Sequence, residues 1–197
     1  MVGTYWDNSS QSHGFILAGK KLTRLDDPKA SKDTTSASGV DSNPGSVFVV
    51  GAYTSSKTAH SAGFVYDAAK KTYTDIPGPS GAMKVYGVAR NDSGVIVGQY
   101  TDSSNVFHSF VLIGKTYTIL NVPHAKATYA LGMNNRNKVV LTWESATSFE
   151  SSLYDIKTKK YKTISYPNSQ DSNATGISDA KFYWFDVRGS RLPRGDQ

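Results

Sequence analysis

Hydrophobic and polar residues alternate along this chain in short runs, and polar turns separate the runs. The runs are rich in Val, Ile, Tyr, Thr and Phe, and Gly, Asn, Asp, Ser or Pro stand between them. Alternation with a period of two is typical of β-strands, whereas no stretch shows the 3.6-residue period of an amphipathic helix. The pattern therefore predicts an all-β protein built from short strands.

Four strand patterns recur in constant order, which indicates an internal repeat of about 45 residues. A first strand with a central Gly precedes a second strand such as VGAY, a third such as HSFVL, and a fourth such as TYTDIP. Each repeat therefore predicts a four-stranded antiparallel meander. The first-strand glycines are Gly39, Gly87, Gly132 and Gly176. One series in the second strand is predicted to share a register: Tyr5, Tyr53, Tyr100 and Trp143. A series in the third strand does the same: Phe15, Phe64, Phe110 and Leu153.

A single sheet of this kind cannot cover both of its faces, so the repeats are predicted to stack around an axis as the blades of a β-propeller. The strand TGISDA, at 175–180, is expected to pair beside Val2–Tyr5 and to close a ring of four blades. Five blades, or two chains in one larger ring, are the alternatives. The repeats span about 2–28, 37–78, 85–123 and 129–167, with closing strands over 174–186.

The chain is predicted to form a single domain over 1–186, followed by a flexible tail over 187–197. The 197 residues are 38% hydrophobic and 19% charged, which fits a folded globular protein. No apolar run approaches the ~20 residues of a membrane span. Cysteine is absent, which excludes disulfides and cysteine nucleophiles. No signal peptide precedes Met1, so the chain as it stands is expected to be cytoplasmic when expressed.

The chain is basic, with 22 Lys and Arg against 16 Asp and Glu and a formal net charge of +6. A basic balance raises nucleic acid as a partner. Half of the 16 lysines, however, lie on or beside the fourth strand of each repeat, where they keep strand edges in water and block edge-to-edge pairing. We therefore interpret them as a solvated outer rim, and nucleic-acid binding is the less favoured hypothesis.

The combination of strand patterns resembles the HAF-repeat family of bacterial extracellular repeat proteins. The similarity rests on the Gly-[IV]-x-[ND], VG-x-Y, HGF or HSF, and TYT-x-[IL]-x-x-P strands and covers about 2–179, nearly the whole chain. The last full repeat departs from the pattern, because Leu141 replaces Gly and Ser151 replaces His. The resemblance implies a secreted, propeller-like parent protein, and it brings no catalytic residue to any position of this sequence.

Candidate metal ligands and nucleophiles are sparse. His13 and His108 share a register position before the third-strand Phe, but the matching positions hold Ala62 and Ser151, so the histidines are interpreted as structural. A zinc site needs three or four convergent ligands, which this pattern does not supply. No G-x-S-x-G, phosphate-binding or calcium-binding motif occurs, and no metal or cofactor is expected.

Polar residues follow each first-strand Gly, where an inner strand points towards the central channel of a propeller. Residues from four blades would meet at one end of the channel and form a site for a small polar ligand. Arg90 is the natural contact for an anion, whereas Asp and Asn at these positions are also common turn formers. The candidate catalytic residues are Asp41, Asp179 and Arg90, and the candidate ligand-binding residues are Asn134, Asn135, Ser42 and Ser178.

Three hypotheses follow for the function. The first and favoured one is a hydrolase of small esters or phosphoesters, in which Asp41 or Asp179 acts as base and Arg90 stabilises developing negative charge. The second is a non-catalytic module that binds carbohydrate or protein through exposed aromatic side chains. The third is a nucleic-acid binder. The aromatic candidates are Trp6, Phe107 and Trp184.

The strand FYWFD, at 182–186, is left over once TGISDA closes the ring. It is short, aromatic and almost uncharged, so an exposed copy would aggregate. We therefore expect 182–186 to pair with a strand edge across a twofold homodimer. The predicted partners are thus a small ligand or substrate and a second copy of the chain, and no membrane partner is expected.

Overall fold

A computed structural model describes residues 1–43, 46–165, 171–179 and 183–188, without the side chains of 32, 33, 42, 43, 171 and 183–188. Every helix or strand element in these ranges is a β-strand, so the all-β class is confirmed. The chain divides into two compact units, Met1–Leu120 and Asn121–Gln197. Each unit is built from the antiparallel meanders that the repeat predicts.

The first unit contains two four-stranded antiparallel meanders, β4–β7 and β8–β11, and a three-stranded one, β1–β3. A single parallel bridge between Ser12 and Thr34 joins β2 to β4. The strands are β1 (Val2–Trp6), β2 (Ser12–Ala18), β3 (Lys21–Leu25), β4 (Ala30–Asn43), β5 (Ser46–Ser55), β6 (Ser61–Asp67), β7 (Thr72–Ile76), β8 (Lys84–Arg90), β9 (Ile96–Thr101), β10 (Phe107–Ile113) and β11 (Thr116–Leu120).

The second unit contains one four-stranded antiparallel meander, β12–β15, and the hairpin β16–β17. The strands are β12 (Ala127–Met133), β13 (Lys138–Glu144), β14 (Phe149–Asp155), β15 (Lys160–Ile164), β16 (Asp171–Ile177) and β17 (Tyr183–Arg188). The fourth strands β3, β7, β11 and β15 are mostly exposed, which confirms their predicted place in water.

Paired glycine and phenylalanine residues fill the centre of three meanders. Gly51 lies opposite Phe64, and Gly98 lies opposite Phe110. A Cβ added at Gly51 would lie 2.8 Å from the Phe64 ring, so the glycine is needed for the ring to lie flat across its strand. Both phenylalanines are fully buried. The pair Gly3 and Phe15 repeats the arrangement between β1 and β2.

The last meander reverses this pairing, and the register predicted for Leu153 is wrong. Leu153 lies opposite Val140, whereas Leu141, which stands where the other repeats have Gly, lies opposite Ser152. The large side chain has therefore moved from the third strand to the second, and both Leu141 and Ser152 are buried. Glu150, not Ser151, lies opposite Trp143 and so occupies the position of His13 and His108.

The inner strands also differ in register from the sequence alignment of their glycines. Each inner strand has one extra residue at a β-bulge, between Ala37 and Gly39 in β4 and between Gly87 and Ala89 in β8. Gly87 is thus the counterpart of Ala37, and Ala89 is the counterpart of Gly39. The positions that follow shift in the same way. Asn91 is the counterpart of Asp41, and Asp92 is the counterpart of Ser42. Arg90 occupies the position that Val40, Met133 and Ile177 occupy in the other inner strands.

The predicted pairing of the strand TGISDA beside Val2–Tyr5 would join the two units, and it stays a prediction. The TGISDA residues Thr175, Gly176 and Ile177 end β16, which pairs with β17. The strand after TGISDA therefore continues the repeat pattern as a second strand. The number of blades and the boundary at residue 186 stay predictions, and Phe182 and residues 189–197 lie outside the described residues.

Candidate functional site

Asp41 and Arg90, two of the predicted catalytic residues, form an ion pair within the first unit. The Arg90 guanidinium donates a hydrogen bond to Asp41, and it also lies 4.0 Å from the centre of the Phe48 ring. The side chains of Asp41 and Arg90 are 1% and 16% exposed. Burial lowers the pKa of Arg90, while the negative charge of Asp92 opposes this shift. An ion pair of this kind holds two strands together and leaves little of Asp41 accessible to a substrate.

Four other predicted site residues lie together in the second unit. The Asn135 backbone N–H and side-chain amide donate hydrogen bonds to the two carboxylate oxygens of Asp179, at 2.7 and 3.0 Å. The Asn134 side-chain amide donates to the Ser178 carbonyl at 3.1 Å. These bonds join the turn after β12 to the end of β16. The predicted meeting of these residues with Asp41 and Arg90 stays a prediction, and of Ser42 the structure describes the backbone alone.

The turn interpretation of the asparagines is supported by their hydrogen bonds. The Asn134 side-chain oxygen accepts from the backbone N–H groups of Arg136 and Lys138, at 3.1 and 3.0 Å. Asn91 does the same for Ser93 and Val95, at 3.1 and 3.0 Å. Both residues close the hairpin into the second strand, as side-chain amides commonly do in turns.

The two histidines in register are held by aspartates that the sequence analysis missed. His13 is fully buried, and its Nδ1 and Nε2 atoms lie 2.8 Å from Asp26 and 3.4 Å from Asp7. The His108 Nε2 atom lies 2.9 Å from Asp102, which keeps the pKa of that carboxyl below its ordinary value. In both cases an Asp precedes the His by six residues, and this spacing is the signal that could have identified the pair.

The Asp7 and Asp102 carboxylates also cap the turns that begin with them. The second oxygen of Asp102 accepts backbone hydrogen bonds from Ser104 and Val106, at 2.8 and 3.0 Å. Asp7 accepts in the same way from Ser9 and Gln11, at 2.8 and 3.0 Å. Each carboxylate therefore ties the turn between the second and third strands to the histidine of the third strand, which supports the structural interpretation of the histidines.

We expect the stability of the protein to depend on pH through His13. Burial acts to lower the pKa of His13, but hydrogen bonds with Asp26 and Asp7 outweigh it and raise the pKa above its ordinary value. A raised pKa in the folded state stabilises the protein below the unfolded pKa of about 6.5, and this contribution is lost as the pH rises through the folded pKa. The Tm should therefore fall as the pH rises above about 6.5.

The measurement is thermal unfolding across this range for the original chain and for His13→Gln. The fall in Tm should be smaller in His13→Gln, because Gln cannot take up a proton. His60→Gln is the matched control, since His60 is exposed in a turn, and it should keep the original pH dependence. Equal slopes for all three proteins would show that His13 does not carry the effect.

A small pocket in the second unit lies beside β14, β15 and β16, and the sequence analysis did not predict it. Its volume is about 150 Å³. Phe149 at its edge is 42% exposed, whereas Ser151 and Ser172 are buried. Ser151 donates a hydrogen bond to the Ser172 carbonyl at 2.6 Å and accepts one from the Ala174 N–H at 2.8 Å. The described lining residues are Phe149, Glu150, Ser151, Thr163, Ile164, Ser165 and Ser172.

The aromatic side chains predicted as binding candidates differ in how exposed they are. Trp6 is 69% exposed at the end of β1. Phe107 is half-buried, and its ring centre lies 6.1 Å from that of Tyr86. The Trp184 side chain lies outside the described part of the structure. Phe149, which the sequence analysis did not name, occupies in β14 the position that Phe107 occupies in β10.

Neither a metal cluster nor a membrane-spanning helix is found in the described part of the chain. No three or more His, Asp or Glu residues there are grouped so that they could hold a metal ion. Within the same ranges, no helix has the length and apolar character needed to cross a membrane.

The arrangement of strands is similar to that of solved structures. TolB from Acinetobacter baumannii matches over 96% of this chain and 47% of its own, with 12% identity and a TM-score of 0.68. The β-propeller domain of the trilobed protease from Pyrococcus furiosus matches over 93% of this chain and 58% of its own, with 10% identity and a TM-score of 0.59. The fold is a β-propeller. One further similar structure, the nidogen/laminin complex, matches over 89% of this chain and 64% of that one, with 9% identity and a TM-score of 0.50.

These likenesses show the propeller fold and nothing about the activity, because the sequence identities are so low. The chain spans between 47% and 64% of the length of the similar structures. No family model matches the chain, and no curated protein matches it in sequence.

Proposed function

We propose that this chain is a non-catalytic β-propeller module of the HAF-repeat type that binds a small carbohydrate in the pocket beside β14, β15 and β16. The pocket carries this proposal. Its Phe149 side chain is 42% exposed at the edge of the pocket, and aromatic side chains stack on sugar rings. An extracellular location of the parent protein follows from the same HAF-repeat resemblance.

The polar groups of the pocket suit a neutral polyhydroxy ligand. Glu150 is the one charged residue among the described lining residues, so the pocket offers an acceptor and no cation for an anionic ligand. Thr163 and Ser165 are exposed and their hydroxyls can donate or accept. The volume of about 150 Å³ is below the roughly 300–1,000 Å³ of sites for drug-sized ligands. A single sugar ring is therefore the largest ligand proposed.

Binding is favoured over hydrolysis because of the state of the predicted catalytic groups. Asp41 is buried and already paired with Arg90, and Asp179 accepts two hydrogen bonds from Asn135. A general base needs a free carboxylate within hydrogen-bond reach of its substrate. Hydrolysis of small esters therefore stays a hypothesis that these contacts do not favour. Ester turnover by the Asp41 and Asp179 variants tests it.

The proposal is tested by titrating the protein with a panel of monosaccharides and amino sugars while its amide NMR signals are recorded. We expect at least one sugar to bind with a Kd of about 1 mM or tighter and to shift signals of the pocket residues. Phe149→Ala should weaken that binding about tenfold, because the stacking surface is lost. Glu150→Gln should weaken it less, since the amide keeps an oxygen acceptor.

Phe107→Ala provides the matched control, because Phe107 is the counterpart of Phe149 in β10 and lies outside the pocket. It should leave sugar binding unchanged. If no sugar shifts the signals of the pocket, or if both Phe variants weaken binding equally, the pocket is not the binding site.

A further inference from the structure

The strand β15 and the turn before it carry a concentration of positive charge beside the pocket. Four lysines, all exposed, lie within six residues there: Lys157, Lys159, Lys160 and Lys162. The nearest acidic residue along the chain, Asp155, forms an ion pair with Lys138. Within the ranges that the structure describes, no carboxylate forms an ion pair with any of the four lysines. This group of four, here called the β15 lysines, therefore keeps its positive charge towards the solvent.

Lysine at position 162 is specific to the meander that holds the pocket. Lys162 lies opposite Leu153 of β14, and the other fourth strands all have threonine at the matching position: Thr23 in β3, Thr74 in β7 and Thr118 in β11. Lys160 likewise stands where β7 and β11 have Thr72 and Thr116. Threonine is favoured in strands and lysine is not, so strand formation does not account for the two lysines.

Protection of the sheet edge does not account for them either. A lysine on the last strand of a sheet can prevent pairing with another chain. The strands β7 and β11, however, are also the last strands of their meanders, and they have threonine at these positions. The feature that distinguishes β15 is the pocket at its end, which Thr163, Ile164 and Ser165 help to line.

The pocket and two of the β15 lysines lie on the same face of the sheet. Alternate residues of a strand share a face, so Ile164 shares its face with Lys162 and Lys160. Ser151 lies opposite Ile164, and Phe149 precedes it by two residues in β14, so both belong to that face. Each step of two residues along a strand covers about 7 Å. A row of two cations therefore begins one such step beyond the pocket wall.

The pocket and the row of lysines favour different parts of a ligand. The pocket offers one charged residue among its described lining residues, Glu150, whose negative charge opposes an anion and allows a neutral ring. A single ring fills the pocket, and the further rings of a longer sugar lie on the surface outside it. There Lys162 and then Lys160 can donate charge-assisted hydrogen bonds to carboxylates.

We propose that the ligand of the pocket is the neutral ring of an acidic oligosaccharide, and that uronate carboxylates on the following rings bind Lys162 and Lys160. This inference rests on the proposed function, because the pocket holds the neutral ring. The turn lysines, Lys157 and Lys159, add to the positive potential that attracts an acidic sugar. The lysines thus select acidic sugars over neutral ones, and Phe149 fixes which ring enters the pocket.

The test compares two tetrasaccharides that differ in charge alone. In the first, N-acetylglucosamine alternates with glucuronate, and in the second the carboxyl groups of the same tetrasaccharide are reduced to alcohols. Both are titrated into the full chain while amide NMR signals are recorded. The acidic tetrasaccharide should bind about fivefold tighter at low salt, as two exposed ion pairs allow. Its advantage should disappear at about 0.5 M salt, because exposed charges are screened.

Two double variants of the protein locate the source of this difference. Lys160→Thr with Lys162→Thr introduces the residues that β7 and β11 have, so the sheet should remain folded. In this variant the acidic tetrasaccharide should bind no tighter than the reduced one. Lys20→Thr with Lys21→Thr is the matched control, because it removes the same two charges at the start of β3, where Lys21 is the counterpart of Lys160. It should keep the fivefold difference.

The outcomes separate this inference from the proposed function. If neither tetrasaccharide binds, the proposed function is wrong and the inference falls with it. If both bind equally to the original chain and Phe149→Ala weakens both, the pocket binds sugar and the inference alone is wrong. The inference is also wrong if Phe149→Ala leaves the acidic tetrasaccharide bound as before. A decathymidylate that binds as tightly, and is lost in Lys160→Thr with Lys162→Thr, would overturn it by identifying a general polyanion surface.

Discussion

Leu141→Gly is expected to lower the free energy of unfolding by about 3–5 kcal/mol, because it opens a cavity in a fully packed position. Leu141 is buried, and the residue opposite it, Ser152, is too small to fill the space. Ser152→Phe alone should also destabilise the protein, by about 1–3 kcal/mol, since the ring meets Leu141. The double variant recreates the Gly–Phe pair of the other meanders and should be more stable than either single variant.

Chemical unfolding of the four proteins gives the coupling free energy between the two positions, which should be about 2 kcal/mol or more. Combining Leu141→Gly with Lys162→Phe is the control, because Lys162 is exposed on β15 and an added ring there fills no cavity. If the changes in the free energy of unfolding are additive in both double variants, Leu141 and Ser152 do not compensate for each other in the packing between β13 and β14.

Asp41→Asn is expected to cost about 3 kcal/mol of stability, because it leaves the Arg90 cation without its buried counter-charge. Arg90→Met should cost a similar amount, since it leaves the Asp41 carboxylate unpaired. The double variant Asp41→Leu with Arg90→Met should recover most of the loss, because apolar side chains can replace a buried ion pair. The measurement is again the free energy of unfolding by denaturant.

Lys70→Met is the matched control for Arg90→Met. Lys70 pairs with Asp67 while its own side chain is 77% exposed, so its loss should change stability by at most about 0.5 kcal/mol. Turnover of an activated ester by the original chain, Asp41→Asn and Asp179→Asn tests the hydrolase at the same time. Turnover by the original chain that disappears in a folded Asp41→Asn protein would support catalysis and contradict the structural role.

The repeat made the strands and their order predictable, because alternation and turn residues are local properties of the sequence. Register was harder to predict. The bulge in β8 places Gly87 opposite Gly98 of the second strand, and Ala89 opposite Val97. A sequence pattern does not show at which residue such a bulge interrupts the pairing of two strands. The predicted register of Leu153 was wrong for a related reason. In the last meander Leu141 and Ser152 stand where the other meanders have Gly and Phe, so the residue types no longer identify the matching positions.

The candidate site was predicted in part. Asp41 and Arg90 do meet, but the chemistry differs from the prediction, because burial and pairing are properties of the folded chain. The Asp–His pairs could have been found from their six-residue spacing, which was present in the sequence. The pocket beside β14 could not, since Phe149 and Ser172 come together only through the packing of β16.

Apart from the single bridge between Ser12 and Thr34, every described ladder joins strands that follow one another in the sequence. Such a protein has a low contact order within each meander, and little chain entropy is lost before the first contacts form. During synthesis, each meander can therefore begin to fold as soon as its own four strands have left the ribosome, before the next repeat has been translated.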